Sequence, residues 1–183
     1  MNLVAALTGA SGALATKLLV EKSQWPVTLV ASKMGRFVYE QEAGPFAELE
    51  EMAAEVWKDA DLTATIASGS VPTVGMVIMP CSANTLGKVA AGIADSLVTR
   101  AAHCQLKEGR KVVLVPRETP FSAIHLENML RLARAGVIIL PPNPGFYHNP
   151  ASVDELVDFV VARILDQLGV DNELLPRWGD DQP

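Results

Sequence analysis

The chain has 183 residues, and 15 Lys and Arg against 21 Asp and Glu give a formal net charge of −6. This length is typical of one compact domain, and the negative charge argues against binding to nucleic acid or to an anionic membrane surface. The longest apolar runs fall far short of the ~20 residues that a membrane-spanning helix needs. The start of the chain lacks a signal-peptide pattern, and two cysteines, Cys81 and Cys104, do not make a disulfide scaffold. Together these features predict a soluble, cytoplasmic protein.

Five short apolar runs alternate with helix-length patterns along the chain. They cover residues 2–7, 27–31, 75–80, 111–116 and 137–142. Continuous apolar runs separated by helices are typical of parallel strands that are covered on both faces. We therefore expect a single α/β domain over residues 1–170, Rossmann-like and doubly wound, with a mostly parallel sheet and helices on both faces. The tail at residues 171–183 is either loose or packed on a neighbouring subunit.

Helical spacing predicts where several helices lie and which faces they bury. The first helix runs to about residue 22, an acidic helix covers about residues 48–57, and the last helix lies between Ser152 and Gly169. Three apolar stripes are predicted to face the core: Leu86, Val89, Ala90 and Ile93; Leu126, Met129, Leu130 and Ala133; and Val153, Leu156, Val157, Val160, Val161 and Ile164.

Small and polar residues follow the first three apolar runs, where ligands bind in open parallel sheets. Residues 9–12 read Gly-Ala-Ser-Gly, and small residues at the start of a helix let its amides approach an anion, although a tight turn explains them equally well. Ser32 follows the second run. Residues 81–85, Cys-Ser-Ala-Asn-Thr, carry more polar groups than a helix cap needs, which favours a ligand edge.

Cationic residues lie near the later runs. Arg100 and Lys107 are seven positions apart in a helical pattern, which places them on one face roughly 10 Å apart. Arg117 and Glu118 follow the fourth run, and Arg163 lies at the edge of the last apolar stripe, where it can face inward or outward. A solvated basic edge is the simpler interpretation, but the combination favours an anionic ligand. The three histidines lack metal-ligand spacing, so we expect no metal site.

Eight segments carry a resemblance to a known family. They are TGASG at 8–12, SK at 32–33, PCS at 80–82, RAA at 100–102, LKE at 106–108, PRETP at 116–120, PGFYHNP at 144–150 and RW at 177–178. In this order, over nearly the whole chain, they resemble the UbiX-like flavin prenyltransferases. The chain departs from the family pattern at Ala83, at His103-Cys104 and at Gly109.

The resemblance implies an enzyme that joins a dimethylallyl group from dimethylallyl phosphate to reduced flavin mononucleotide (FMN), without a metal. The product, prenylated FMN, would serve a partner decarboxylase of the UbiD type. The resemblance also implies a homo-oligomer, built from trimers into a dodecamer, in which subunits share sites.

The resemblance further implies roles for individual residues. FMN would be held by Gly9, Ala10, Ser11, Ser32, Ser82, Ala83, Asn84, Thr85 and Arg100. Dimethylallyl phosphate would be held by Lys107, Arg117, Tyr147 and Arg163. Glu118, Glu42, Lys107 and Arg117 would take part in catalysis.

Two other functions remain open from the sequence. The Ser-Ala-Asn-Thr segment at residues 82–85 resembles one in related FMN-dependent cysteine decarboxylases, so a decarboxylase or reductase of the same superfamily is one alternative. Those decarboxylases use a histidine in the first half of the chain, and here no histidine precedes His103. A non-enzymatic flavin carrier is the other alternative.

Overall fold

The sheet has six strands, in the order β3-β2-β1-β4-β5-β6, in a computed structural model that describes residues 1–175. The strands are β1 Asn2–Leu7, β2 Val27–Ala31, β3 Glu55–Lys58, β4 Thr73–Cys81, β5 Lys111–Pro116 and β6 Ile138–Ile139. All neighbouring pairs are parallel. The strand order changes direction between β1 and β4, which is where such sheets open a crevice for ligands. The predicted α/β doubly wound fold is confirmed.

Within the described residues, seven α-helices cover the two faces of this sheet. They are α1 Ala13–Lys22, α2 Lys33–Glu42, α3 Phe46–Met52, α4 Ala83–Ala91, α5 Leu97–Lys107, α6 Ala123–Arg134 and α7 Val153–Leu168. Alternate side chains of β1 point to opposite faces: Val4 packs with residues of α4, α5 and α6, whereas Leu3 packs with α1 and α7. Within residues 1–175, no helix is both long and apolar enough to cross a membrane.

The prediction of one acidic helix over residues 48–57 is wrong for the second half of this region. Helix α3 ends at Met52, and Glu55–Lys58 form the edge strand β3, which pairs with β2. The burial of β3 alternates from residue to residue, and Trp57 packs against the core. The sequence Glu-Val-Trp-Lys does not show this period of two, because its two apolar residues are adjacent, and the sheet therefore has one more strand than the five expected.

The stripe expected on α6 is also largely wrong. Met129 is buried, but Leu126 and Leu130 are 53% and 50% exposed. Leu132 is the other buried apolar residue of this helix. Periodicity identified the helix but did not show which of its apolar faces meets the core. Ile93, expected on the buried face of α4, lies beyond the end of that helix and is exposed.

The carboxyl-terminal part of the chain is mostly as predicted. Helix α7 begins after Ser152 and ends at Gly169. Val160, Val161 and Ile164 of its expected stripe are buried, but Val153, at the first position of the helix, is 67% exposed, so that part of the prediction is wrong. The preceding strand is shorter than expected, because β6 covers only Ile138–Ile139 and the prolines that follow lack the N–H groups a ladder needs. Leu174 of the tail packs against the chain's own core. Arg177 and Trp178 lie outside the described residues.

Candidate active site

The loop between β1 and α1 is joined to the end of α2 by one carboxylate. Oε2 of Glu42 accepts hydrogen bonds from the backbone N–H groups of Gly12, at 2.8 Å, and of Ala13, at 2.9 Å. The amides at the start of α1 are therefore occupied by a side chain of the same protein. The Glu42 carboxylate thus takes the position at the helix start where an anionic ligand would otherwise bind.

The pKa of Glu42 lies below its usual value. Burial raises this pKa, but hydrogen bonds from the Ser11 hydroxyl and from the two amides, together with the positive charge of Arg117, outweigh the effect of burial. Glu42 is therefore ionised at neutral pH. Ser11, Glu42 and Arg117 consequently form one electrostatically coupled group at the carboxyl edge of the sheet.

Close packing of α2 against the end of β1 brings Glu42 to this position. A Cβ atom on Gly35 would lie 2.5 Å from the carbonyl oxygen of Leu7, and one on Gly9 would lie 2.6 Å from Cβ of Met34. Only glycine allows the backbones to approach this closely at both points.

Ser32 and Ser82 each begin a helix at the same edge. Oγ of Ser32 accepts a hydrogen bond from the N–H of Gly35 at 3.0 Å, and Oγ of Ser82 accepts one from Thr85 at 3.3 Å. Both hydroxyls therefore cap helices. Each hydroxyl also carries a hydrogen that it can donate to a ligand. Asn84, in the first turn of α4, is exposed beside them.

Arg117 and Glu118 follow directly after β5. The backbone N–H of Arg117 donates to the carbonyl oxygen of Cys81 at 3.2 Å, which joins this loop to the end of β4. The Arg117 side chain is exposed, whereas Glu118 is half-buried. Both line a cavity of about 250 Å³ between residues 116–121 and 141–143.

A small apolar cavity of about 150 Å³ lies beside Ser11. Its walls include Leu14, Met79, Val115 and Val157. Tyr147 lies in the loop after β6 and is exposed. Its ring packs edge-on against Phe159, with 6.0 Å between the ring centroids. The edge therefore places a hydrocarbon surface next to charged and hydroxyl groups.

We call Ser11, Ser32, Glu42, Ser82 and Arg117 the edge cluster. We call Arg100 and Lys107, which both lie exposed on α5, the α5 stripe.

Lys107, the last residue of α5, lies away from the edge cluster. Nε of Arg100 donates to the carbonyl oxygen of Ala67 at 3.0 Å, and Lys107 forms an ion pair with Glu108. Lys107 ends α5 just before β5 begins, whereas Arg117 follows the end of β5. Six residues of strand span about 20 Å, so one chain does not bring these two cations together.

Arg163 points outward from α7, and its Nη1 lies 2.8 Å from Oδ2 of Asp166. It faces outward because the neighbouring positions on α7, Val160, Val161 and Ile164, form the buried stripe. Arg163 lines a groove along β6 and is not in the edge cluster. Within residues 1–175, no group of His, Cys, Asp or Glu could hold a metal ion.

Sequence reasoning missed two parts of this surface. The loop at Ser68–Ser70 lies against the end of α5, where a Cβ on Gly69 would overlap Lys107 and Glu108. A cavity of about 730 Å³ lies beyond β2 and β3, next to Ser32, with Trp57 in its wall. The sequence carries no signal for this cavity, because β3 reads Glu-Val-Trp-Lys and its polar and apolar residues do not alternate.

Comparisons with known proteins identify the family. A sequence model of the flavoprotein family matches residues 1–165. A probable UbiX-like flavin prenyltransferase from Streptomyces sp. strain D7 is 50% identical, over 97% of this chain and 92% of its own length.

Two solved structures share the fold over nearly their whole length. The dodecameric FMN-dependent UbiX-like decarboxylase from Escherichia coli O157:H7 has a TM-score of 0.94 at 46% identity, covering 97% of this chain and 99% of its own. AnUbiX (PadA1), in complex with FMN and dimethylallyl pyrophosphate, has a TM-score of 0.96 at 37% identity, covering 99% and 98%. The chain therefore belongs to the flavoprotein family, and within it to the UbiX-like flavin prenyltransferases.

Proposed function

We propose that this protein transfers a dimethylallyl group from dimethylallyl phosphate to reduced FMN and so makes prenylated FMN. The observation that carries the proposal is the edge cluster, in which hydroxyls, an ionised carboxylate and a guanidinium lie at the carboxyl edge of the sheet beside an apolar cavity. A flavin prenyltransferase needs both polar groups for the flavin and a hydrocarbon surface for the prenyl group. The similarity to a structure that holds FMN and dimethylallyl pyrophosphate supports the same pairing here.

The donor set of the edge fits FMN. Two segments bring small residues, hydroxyls and the Asn84 amide to this edge, and such groups suit a ribityl chain and a phosphate. They are Gly9, Ala10 and Ser11 on one side, and the Ser82 to Thr85 turn (Ser82, Ala83, Asn84, Thr85) with Ser32 on the other. Arg117 adds the positive charge that the phosphate or the electron-rich flavin ring requires. Reduced FMN supplies the nucleophilic ring atoms to which the prenyl group becomes attached.

The α5 stripe suits the phosphate of the prenyl donor, supplied to a neighbouring subunit. Arg100 and Lys107 lie exposed on one face, close to the hydroxyl-bearing loop at Ser68–Ser70. Two roles differ from those expected from the sequence. Arg117 would bind the flavin and not the donor phosphate, and Arg100 would bind the donor phosphate together with Lys107 and not the flavin. Tyr147 and Arg163 add a hydroxyl and a further cation for that phosphate.

The chemistry requires stabilisation of a leaving group. When the allylic carbon–oxygen bond breaks, the phosphate leaves with the electron pair and its negative charge increases. Cations and a phenol that already surround it stabilise this charge more in the transition state than in the ground state. Charge stabilisation by Arg100, Lys107, Tyr147 and Arg163 therefore needs no metal.

Proton removal and exclusion of water complete the reaction. New bonds to the flavin release protons, and either the departed phosphate or the half-buried carboxylate of Glu118 can accept them. Glu42, held by Ser11 and two amides, keeps a fixed negative charge beside the flavin. The apolar cavity near Ser11 can shield an electron-poor allylic group from water.

The proposed site needs more than one copy of the chain. A homo-oligomer built from trimers, up to a dodecamer like the one described for the Escherichia coli relative, would place the α5 stripe of one subunit against the edge cluster of another. Exposed Leu126 and Leu130 on α6 suit such contacts. The product would serve a decarboxylase of the UbiD type. Two unpaired cysteines agree with a cytoplasmic location.

Mass spectrometry of the flavin tests the proposal. The protein is incubated anaerobically with reduced FMN and dimethylallyl phosphate, and the mass of the released flavin is measured. We expect a gain of one prenyl unit, and no gain when the donor is left out. An unchanged flavin, recovered from protein that demonstrably binds FMN, would contradict the transferase and favour a carrier or a decarboxylase.

A further inference from the structure

Thr8 directly follows β1, and its buried side-chain hydroxyl lies between the β1–α1 loop, which carries Ser11, and the β4–α4 loop, which carries Ser82. The residue is 2% exposed. Its Oγ1 donates a hydrogen bond to the carbonyl oxygen of Pro80 at 3.0 Å and accepts one from the backbone N–H of Ser82 at 2.7 Å. The Thr8 hydroxyl therefore both donates and accepts a hydrogen bond where β4 leads into α4.

The backbone on either side of this hydroxyl connects to the other loops. The N–H of Thr8 donates to Pro80 O at 3.1 Å, and its carbonyl oxygen accepts from the N–H of Ala10 at 2.8 Å. The neighbouring carbonyl of Leu7 accepts from the N–H of Ser32 at 3.0 Å. The three loops that carry Ser11, Ser32 and Ser82 thus meet at Leu7 and Thr8.

Each of these bonds except those of the Thr8 hydroxyl is between backbone groups. Replacing that hydroxyl would leave the N–H of Ser82 without its partner in a closely packed turn. Because Ser82 caps α4, a displaced Ser82 would also move the first turn of that helix relative to the Gly9 to Ser11 loop.

We propose that Thr8 is a positioning residue for the flavin: its hydroxyl sets the separation between the β1–α1 and β4–α4 loops and so shapes the crevice for FMN. The inference rests on the proposed function, because it assumes that FMN lies between these loops. Thr8 does not touch the reacting atoms, and it acts through Ser82.

The test is titration of FMN into Thr8→Val, which keeps the shape of the side chain and removes the hydroxyl. We expect the FMN dissociation constant to rise about tenfold, as loss of one well-placed buried hydrogen bond produces. The flavin absorbance spectrum of the bound form should shift as well. At saturating FMN and donor, kcat should stay within about twofold of the unaltered protein, because binding and not chemistry has changed.

Thr16→Val is the matched control. Thr16 is also buried, and its hydroxyl donates to the carbonyl oxygen of Met79, the residue before Pro80, but it makes no bond to the Ser82 turn. We expect this variant to lower the melting temperature much as Thr8→Val does, without weakening FMN binding. Equal loss of FMN affinity in both variants would overturn the proposal in favour of general destabilisation.

Thr8→Ser keeps the inference testable if Thr8→Val does not fold. Serine retains the hydroxyl and loses only the methyl group, so FMN affinity should stay within about twofold of the unaltered protein. A tenfold loss in Thr8→Ser, or unchanged affinity in a folded Thr8→Val, would overturn the role of the hydroxyl. If the unaltered protein itself bound no FMN, both this inference and the proposed function would fail, whereas the other outcomes concern Thr8 alone.

Discussion

The edge cluster and the α5 stripe differ in how completely one chain builds them. Glu42 is fixed by two amides and by the Ser11 hydroxyl, and Ser32 and Ser82 cap helices. Lys107, by contrast, is exposed at the end of α5, where it forms an ion pair with the next residue, Glu108. Under the proposed function, the fold prepares the flavin side in advance, and a second copy of the chain would complete the donor phosphate side. Four substitutions would test this difference.

The largest effect is expected from Glu118→Gln, which removes a candidate base next to the edge cluster. We expect kcat for prenyl transfer to fall about a hundredfold, since a positioned acid or base contributes at least that much. FMN affinity should change little. Single-turnover kinetics measure the rate, with Glu127→Gln on the exposed face of α6 as control. A normal rate would leave the departed phosphate as the base.

Arg117→Ala should affect flavin binding most. Loss of a guanidinium at the crevice should weaken FMN about thirtyfold, within the range of a charged hydrogen bond. Fluorescence titration measures the FMN dissociation constant. Arg131→Ala, at an exposed position of α6, is the matched control. If only the KM for the prenyl donor changed, Arg117 would belong with the α5 stripe instead.

Lys107→Ala should have the complementary effect. We expect the KM for dimethylallyl phosphate to rise about tenfold, because one charge-assisted contact to phosphate is lost. FMN affinity should not change. Lys22→Ala provides the control, since Lys22 is likewise an exposed lysine that ends a helix. A large loss of FMN affinity would show that Lys107 serves the flavin phosphate.

Glu42→Gln should give the smallest effect, on stability. The folded pKa of Glu42 lies below its usual value, so the ionised carboxylate stabilises the fold above pH 4.5. This stabilisation is lost as the pH falls through the folded pKa. At pH 7 we expect a decrease in unfolding free energy of about 1 kcal/mol, typical of a helix cap. Urea unfolding at pH 7 and at pH 3 measures it.

The same measurement can contradict the interpretation of Glu42. The difference between Glu42→Gln and the unaltered protein should shrink toward zero at the lower pH. Glu40→Gln, an exposed residue of the same helix, should show no such dependence. A pH-independent difference would mean that the capping geometry, and not the charge, stabilises the start of α1.

Sequence reasoning predicted the parts of the fold that depend on continuous apolar runs. It placed β1, β2 and β5 at their observed bounds, because buried parallel strands lack polar interruptions. It missed β3, since an edge strand exposes every second side chain and Glu55 and Lys58 resemble a helix surface. For α6, periodicity identified the helix but chose the wrong face, because both faces carry leucine.

The candidate site was predicted as a set of residues and not as an arrangement. The rule that ligands bind beyond strand ends placed Ser11, Ser32 and Arg117 at one edge. The contact of Glu42 with Gly12 joins positions 30 apart and depends on how α2 packs, which spacing does not encode. The separation of Lys107 from Arg117 could have been inferred, since one precedes β5 and the other follows it.

Complementation between variants tests most directly whether two copies complete one site. At FMN and donor concentrations near those that half-saturate the unaltered protein, Lys107→Ala and Arg117→Ala are each expected to transfer the prenyl group poorly. The two variants are then co-expressed so that mixed oligomers form. A site that takes Arg117 from one subunit and Lys107 from its neighbour will be intact in a fraction of these oligomers, so prenylated FMN formation should recover well above either variant alone. If the mixture shows only the average of the two, both residues act within one chain and the proposed division of the site is wrong.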